Sequence, residues 1–308
     1  MAGAPSPDVY TTPLARLTAN AQRAPSVIAM AEVDGARSMR EITRAALVRR
    51  VQHVMRGLTA KGFAAGDRVL FSVRPGIDAV VLVLAVHELG GVLIPQDPGT
   101  SDALFAARMQ LLSPRWVFAE SLLLVSARHP LSRLLRWRGV PMAPLGAVRG
   151  ARVVRVGPWL PGLPVCTPLA RLERDAVRHE ASDTPHVKRD AEGEAFIVCT
   201  SGTTSAPKAV VHTRASLSAI LHAVERELVI DASHVVYSKD LHLVLPALAV
   251  GARVLMPRRL SFRGDRTLAA FRTHRVTHAF LVTRDCRLLL DTCVEQSITV
   301  PALSLIHI

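Results

Sequence analysis

The chain has 308 residues, of which 49% are hydrophobic and 20% are charged, and this composition excludes a globally disordered protein. Its formal net charge of +13 comes almost entirely from arginine, since only four of its 38 basic residues are lysine. Codon bias in a GC-rich genome produces such an arginine excess, and neither aromatic-basic interleaving nor zinc-ligand spacing accompanies it, so no specific nucleic-acid partner is predicted.

Neither a transmembrane segment nor a signal peptide is predicted. The longest apolar run covers residues 79–86, which is far too short to cross a bilayer. The first residues are followed by polar side chains and not by the apolar core of a leader. The cysteines have no metal-ligand spacing, which predicts reduced thiols in a cytoplasmic protein: Cys166, Cys199, Cys286 and Cys293.

Helical and strand patterns alternate after a lead-in that we assign to residues 1–37. Apolar residues at helical spacing predict a helix over 39–60, which Lys61-Gly62 ends. The elements predicted next are a strand at 67–73, a helix at 77–89, a strand at 92–94, a helix at 102–112 with Ser101 as N-cap, and a strand at 116–118. This short alternation predicts an α/β fold built from parallel βαβ units with right-handed crossovers.

Residues 121–172 form a basic, proline-rich segment. They include eight arginines and seven prolines but no Asp or Glu. The prolines exclude a long regular element beyond Gly139, whereas residues 131–138 fit a short amphipathic helix. We interpret the segment as a solvated surface insertion. Docking to an acidic protein, to the phosphates of a ligand or to an anionic membrane surface are the alternatives left open.

Residues 195–212 have a strand–loop–strand pattern with distinctive chemistry. A β-prone run, 195–199, leads into six small residues, 200–205, and a second β-prone run follows Pro207-Lys208. The small residues around Gly202 let backbone N–H groups and hydroxyls converge on an anion, and Lys208 adds a positive charge. The pattern suits a polyphosphate. It is not a Walker A loop, in which the lysine precedes Ser or Thr and opens a helix.

The remaining third of the chain continues the alternation. The predicted elements are a helix at 215–228, a strand at 235–237, an apolar stretch at 240–250 interrupted by Pro246, a strand at 253–256, a helix at 265–274, a strand at 278–282 and a helix at 284–296. Cys286 and Cys293 share one helical face, which indicates core packing. Four histidines lack the spacing of metal ligands, so no metal site is predicted: His212, His222, His234 and His242.

The loop resembles the phosphate-binding signature of the adenylate-forming superfamily, which comprises acyl-CoA synthetases, peptide-synthetase adenylation domains and luciferases. The usual pattern is Tyr/Phe-Thr-Ser-Gly-Thr-Thr-Gly-x-Pro-Lys-Gly-Val. This chain keeps it from Thr200 to Thr204 and at Pro207-Lys208, and has Ser205 and Ala209 in place of glycines. Two earlier stretches also resemble the family's amino-terminal half, so the resemblance covers residues 38–308: Gly66-Asp-Arg-Val69 and Gly90-Gly-Val-Leu-Ile-Pro95.

The resemblance implies that ATP, with Mg²⁺, activates a small-molecule carboxylate to an acyl-adenylate, which is then transferred to CoA or to an acyl carrier. It implies that Thr200, Ser201, Thr203 and Thr204 bind the β- and γ-phosphates, that Gly202 allows close approach, and that Lys208 is the catalytic cation. His242 loosely matches a position that lines the acyl pocket in relatives. It is a substrate-binding candidate, with a core or surface histidine as the alternative interpretation.

The sequence alone leaves two substrate classes and two other functions open. The amino-terminal half is more similar to acyl-CoA synthetases than to amino-acid-activating domains, which favours a fatty acid. Residues 74–78 and 97–99 are similar to the olefin β-lactone synthetases, which activate a β-hydroxy acid. A non-catalytic nucleotide-binding fragment and a basic nucleic-acid-binding protein are the hypotheses from other classes.

The sequence ends before several segments that the family carries. These are a Tyr-Gly-x-Thr-Glu segment, a Thr-Gly-Asp segment and the small carboxy-terminal lid domain with its catalytic lysine. We therefore expect residues 38–308 to be a partial adenylation large domain without the lid. We also expect the chain alone to form acyl-adenylate poorly.

Overall fold

The computed structural model describes residues 12–96, 100–126, 145, 148, 150–178, 190–200, 208–259, 261–299 and 304–307. The chain divides into two units. The first consists of Met1–Arg50, Pro75–Val81 and Ser218–Ile308, and the second of Val51–Arg74 and Leu82–Leu217. Each unit contains one sheet.

The helices and strands of the described residues follow one another in an alternating order. In chain order they are α1 (Pro13–Arg23), β1 (Ile28–Asp34), β2 (Arg37–Thr43), α2 (Arg44–Ala60), β3 (Arg68–Ser72), α3 (Ile77–Glu88), β4 (Val92–Pro95), α4 (Asp102–Leu112), β5 (Trp116–Glu120), α5 (Ser121–Ser126), β6 (Arg152–Val156), β7 (Thr167–Pro168), α6 (Leu169–Arg178), β8 (Glu194–Thr200), β9 (Lys208–Thr213), α7 (Arg214–Leu228), β10 (Val235–Tyr237), α8 (Leu241–Ala249), β11 (Arg253–Pro257), α9 (Gly264–Thr273), β12 (His278–Leu281), α10 (Thr283–Glu295) and β13 (Ser304–His307).

The sheet of the first unit has six strands in the order β13-β12-β10-β11-β1-β2, and all of its pairs are parallel except β1 with β2. Residues of β1, β10, β11 and β12 form one buried cluster with α9 and α10. At its centre Phe271 is fully buried, and its ring lies edge-on to Tyr237 with the centroids 5.1 Å apart. Cys293 belongs to this cluster and Cys286 packs against it, as the helical spacing predicted.

The sheet of the second unit has seven strands in the order β7-β6-β5-β3-β4-β8-β9, and only β8 with β9 is antiparallel. Its strands are nearly continuous apolar runs, and Val69, Leu70 and Val117 are fully buried. Strands buried on both faces have this composition because helices cover a parallel sheet on each side. The predicted α/β fold with parallel sheets is thus confirmed.

One predicted helix begins later than its sequence pattern indicated. Residues 37–43 form β2, so the helix predicted over 39–60 starts at Arg44. The antiparallel pairing runs from Asp34↔Arg37 to Ile28↔Thr43, around a turn in which Gly35 has φ +63°. Helical periodicity misassigned this strand, although the Asp34-Gly35 pair between β1 and β2 is a local hairpin signal. Residues 13–34, within the predicted lead-in, contribute α1 and β1 to the first unit.

The basic segment at 121–172 is partly integral to the sheet, which corrects its interpretation as surface throughout. Strand β6 pairs with β5 in parallel register from Trp116↔Arg152 to Glu120↔Val156. Val154 and Leu172 are fully buried. Val154 and Val156 are buried on one face of β6, whereas Val153 and Arg155 on the other face are partly exposed, which matches a strand with one face toward the core. The helix predicted at 131–138 lies outside the described residues.

His87 gives the second unit a pH-dependent stability. This α3 residue is buried, and burial, aided by the nearby charge of Arg214, lowers its pKa from 6.5 to about 4. Because the folded-state pKa is the lower one, its contribution is fully present above pH 6.5 and is lost as the pH falls toward 4.

We expect stability to fall by up to about 3 kcal/mol over that interval through this group alone. Urea unfolding of the wild type and of His87→Gln at pH 7.5 and 4.5 measures the effect. The variant should lose less stability than the wild type on acidification. Equal losses would mean that His87 is protonated in the folded protein.

Candidate functional site

A β-hairpin carries the ends of the sequence motif. Strands β8 and β9 pair antiparallel from Glu194↔Thr213 to Thr200↔Lys208, so Thr200 and Lys208 face each other across the last rung. Lys208 is exposed. The loop residues predicted to bind phosphate between them lie outside the described residues: Ser201, Gly202, Thr203 and Thr204. The hairpin therefore brings the two flanks of the loop together, as the strand–loop–strand pattern predicted.

The hairpin tip lies at the carboxyl edge of the seven-stranded sheet. Strand β8 pairs in parallel with β4 through Leu93↔Phe196, so the residues after β4 lie at the same edge as the end of β8. Ligands of α/β proteins bind in the crevice outside the carboxyl ends of parallel strands. The edge that receives Thr200 and Lys208 is thus the edge where such a site is expected.

A polar cluster that the sequence analysis missed lies at this edge. Gln96 Nε2 donates a hydrogen bond to Thr100 Oγ1 at 2.8 Å, and Arg108 Nη1 donates to the same oxygen at 3.4 Å. All three residues are buried. A signal for Arg108 was present in the sequence, because it shares a helical face with Phe105 and Leu112, and a charged residue in an apolar stripe requires an explanation.

Cys199 lies near this cluster but is not a nucleophile. Burial raises the pKa of its thiol above the usual value, and the positive charge of Arg108 only partly opposes the rise. The thiol is therefore protonated at neutral pH, whereas the thiolate is the reactive form. The Cys199 side chain packs against the apolar core of the second unit.

His242 lies on the first unit, in the first turn of α8. Its side chain is exposed, and its ring is edge-on to Phe280 at the end of β12, with the centroids 5.6 Å apart. Helix α8 follows β10, which neighbours β12 in the sheet. His242 and Phe280 therefore lie near the carboxyl edge of the first unit's sheet. The alternative of a core histidine is excluded by the exposure of the side chain.

A surface cleft that is open to solvent lies at the carboxyl edge of the first unit's sheet. Lys239 Nζ donates to the buried Asp285 Oδ2 at 2.9 Å on its wall. Hydrogen bonds from Arg266 and Arg259 hold the pKa of Asp34 below its usual value, although burial opposes them. Burial raises the pKa of Tyr237 to about 12. Each charged side chain that lines this cleft is in an ion pair, Arg263 with Asp265 outside the lining.

Within the described residues, no three His, Cys, Asp or Glu side chains converge as metal ligands would. In a separate respect, none of the helices described here has the length and hydrophobicity that crossing a bilayer requires.

Comparisons with known proteins agree with the fold. The family profile described as "AMP-binding enzyme" matches residues 17–304. The chain is 30% identical over 156 residues to an olefin beta-lactone synthetase of Stenotrophomonas maltophilia, covering 51% of this chain and 25% of that protein. It is 29% identical over 190 residues to a malonamoyl-CoA synthetase of Penicillium aethiopicum, covering 60% of this chain and 26% of that protein.

A solved structure supports the fold independently of sequence. The crystal structure of VinN superimposes with a TM-score of 0.73 at 18% identity, over 95% of this chain and 66% of VinN. At that identity the similarity establishes the fold alone. This chain spans about a quarter of the length of the two curated relatives and about two thirds of VinN.

Proposed function

The chain belongs to the AMP-binding enzyme family, and from this premise we propose that the protein uses ATP to convert a carboxylic acid to an acyl-adenylate. An oxygen of the substrate carboxylate attacks the α-phosphorus of ATP. The bond from that phosphorus to the oxygen bridging to the β-phosphate breaks, and pyrophosphate leaves. The sulfur of a thiol then attacks the acyl carbon, the bond from that carbon to the adenylate oxygen breaks, AMP leaves and the thiol proton passes to solvent. CoA is the first candidate thiol and an acyl carrier the second.

The observation that carries this proposal is the hairpin with Thr200 opposite Lys208 at the carboxyl edge of the sheet. Negative charge grows on the α-phosphate and the departing pyrophosphate, so the protein's main task is electrostatic. Lys208 places a positive charge at the hairpin tip. In this proposal the loop's hydroxyl and N–H groups, from Thr200, Ser201, Thr203 and Thr204, bind the β- and γ-phosphates, and Gly202 leaves room for them.

A fatty acid is the proposed substrate. The support is the sequence similarity of the amino-terminal half to acyl-CoA synthetases. His242 and Phe280 form an aromatic pair near the carboxyl edge of the first unit's sheet, and an aromatic surface suits an acyl chain. We propose that His242 contacts the acyl group. The malonamoyl-CoA synthetase among the relatives favours CoA as the acceptor.

A β-hydroxy acid is the second candidate substrate. The observation that favours it is the 30% identity to an olefin beta-lactone synthetase over 156 residues. In that case the adenylate would be attacked by the substrate's own β-hydroxyl, closing a four-membered lactone and releasing AMP. A protein that only binds nucleotide is the remaining hypothesis, and turnover distinguishes it from both enzymes.

The experiment is a substrate panel for the purified full-length protein. Fatty acids, their β-hydroxy derivatives and amino acids are incubated with ATP and Mg²⁺, and acid-dependent pyrophosphate release is followed with and without CoA. We expect release with fatty acids and an acyl-CoA product in mass spectra. A lactone formed without CoA would favour the second candidate, and ATP binding without release for any acid would contradict both.

A further inference from the structure

We propose that Arg108 is a second cation of the ATP phosphate site, buried at the carboxyl edge of the seven-stranded sheet beside the end of β8. This inference rests on the proposed function and identifies a residue of the same site. It goes beyond the loop motif, because Arg108 is on α4, about 90 residues before the loop.

The positive charge of Arg108 is buried, and the described residues give its guanidinium only one hydrogen bond. Only 7% of the residue is exposed, and its single hydrogen bond within the described residues is the 3.4 Å contact from Nη1 to Thr100 Oγ1. Its Nε has no hydrogen-bond partner, and no ion pair joins it to a described carboxylate. A buried cation without a partner costs several kcal/mol, so proteins retain one where an anion binds.

Arg214 provides the contrast within the same sheet. It is equally buried, at 7% exposure, but lies at the amino ends of β4 and β8. Its guanidinium donates to backbone carbonyls, with Nη1 2.7 Å from Glu194 O and Nη2 3.3 Å from Gly91 O. Carbonyl oxygens thus account for the buried arginine at the amino edge. Within the described residues, no such set of carbonyl oxygens accepts hydrogen bonds from Arg108 at the carboxyl edge.

The hydroxyl oxygen of Thr100 links Arg108 to Gln96. Gln96 donates its amide hydrogen to Thr100 Oγ1 at 2.8 Å, and that oxygen also accepts from Arg108. Most N–H groups of the Arg108 guanidinium have no hydrogen-bond partner among the described residues besides this contact. A ligand with several acceptor oxygens and negative charge complements such a cluster, and a guanidinium binds phosphate oxygens in a bidentate manner.

The position of Arg108 favours ATP over other anionic ligands. Thr100 and Gln96, which contact one another beside Arg108, follow β4; β4 pairs in parallel with β8, whose last residue Thr200 faces Lys208 across the hairpin. The buried guanidinium and the exposed ammonium therefore belong to the same end of β8. One cation on a rigid helix and one on a hairpin tip can bind different phosphate oxygens of one polyphosphate.

The experiment compares Arg108→Met with Arg214→Met as the matched control, using the full chain and ATP with Mg²⁺ as the probe. Without nucleotide, we expect Arg108→Met to melt at or above the wild-type temperature, because an uncompensated charge is removed. Arg214→Met should melt lower, because carbonyl oxygens lose their donors. By calorimetric titration, Arg108→Met should bind ATP roughly tenfold to a hundredfold more weakly. Arg108→Lys should recover part of that loss.

Two results would overturn the inference and are distinguishable from each other. If Arg108→Met melts as low as Arg214→Met and binds ATP as the wild type does, Arg108 is a structural residue and the proposed function stands. If the wild type itself shows neither ATP binding nor ATP-dependent stabilisation, the proposed function fails together with this inference.

Discussion

Lys208→Ala should lower the rate of acyl-adenylate formation about a hundredfold. Removing one preorganised group that stabilises developing negative charge typically costs about 3 kcal/mol of transition-state stabilisation. Lys208 lies at the first position of β9, opposite Thr200, and its side chain is exposed. Its charge is needed most as pyrophosphate departs, so the loss should appear in the turnover rate more than in the affinity for the acid. Acid-dependent ATP–pyrophosphate exchange in the full-length protein measures it.

Lys208→Arg is the control for the charge. It keeps the positive charge but replaces a compact ammonium with a wider planar group, so we expect partial recovery of the rate. Melting temperatures of both variants should lie close to that of the wild type, because an exposed lysine contributes little to folding. If Lys208→Ala exchanged pyrophosphate with ATP at the wild-type rate, the hairpin tip could no longer be assigned to phosphate binding.

Asp67→Ala should destabilise the second unit by about 1–3 kcal/mol, the usual cost of leaving a buried hydrogen-bonding group unsatisfied, since its ion-pair partner Arg115 is 62% exposed and stays solvated. Asp67 is 4% exposed and fixes the turn before β3. Its carboxylate accepts from Arg115 Nη1 at 2.6 Å, from the indole Nε1 of Trp116 at 2.9 Å and from the backbone N–H of Ala64 at 3.0 Å. Alanine would leave the buried indole N–H without an acceptor, which adds a desolvation cost.

Urea unfolding of Asp67→Ala, Trp116→Phe and the double variant measures this effect. Because the carboxylate and the indole interact directly, the two losses should be non-additive, with the double variant more stable than the sum predicts. Asp67→Asn keeps an acceptor oxygen and should cost less than alanine. Additive losses would show that the hydrogen bond to Trp116 contributes nothing measurable to stability.

The sequence alone predicted the alternation of elements and the chemistry of the loop. Helix α4 was predicted with its bounds, 102–112, and with Ser101 as N-cap, and Ser101 Oγ accepts from Leu104 N. Such features are local, since a cap, an apolar stripe or a glycine turn acts within a few residues. The pairing of β8 with β9 was predictable for the same reason, because only the loop separates the strands.

The tertiary structure alone decided which distant residues meet. Strand β1 pairs in parallel with β11, more than 200 residues later, and no local pattern reveals that partner. The Gly66-Asp-Arg-Val69 motif was visible in the sequence, but the role of Asp67 depends on Trp116, nearly 50 residues later.

Arg108 is the clearest case of this kind. Its helix was predicted from local pattern, but its surroundings come from the ends of β4 and β8, which a parallel sheet brings to one edge from positions about 100 residues apart. Sheet order and parallel pairing are set by the burial of whole apolar faces against one another. The hydrophobic periodicity of a sequence reports the environment of one element at a time and does not identify the element that packs against it. The role of the buried charge of Arg108 was therefore visible only in the folded chain.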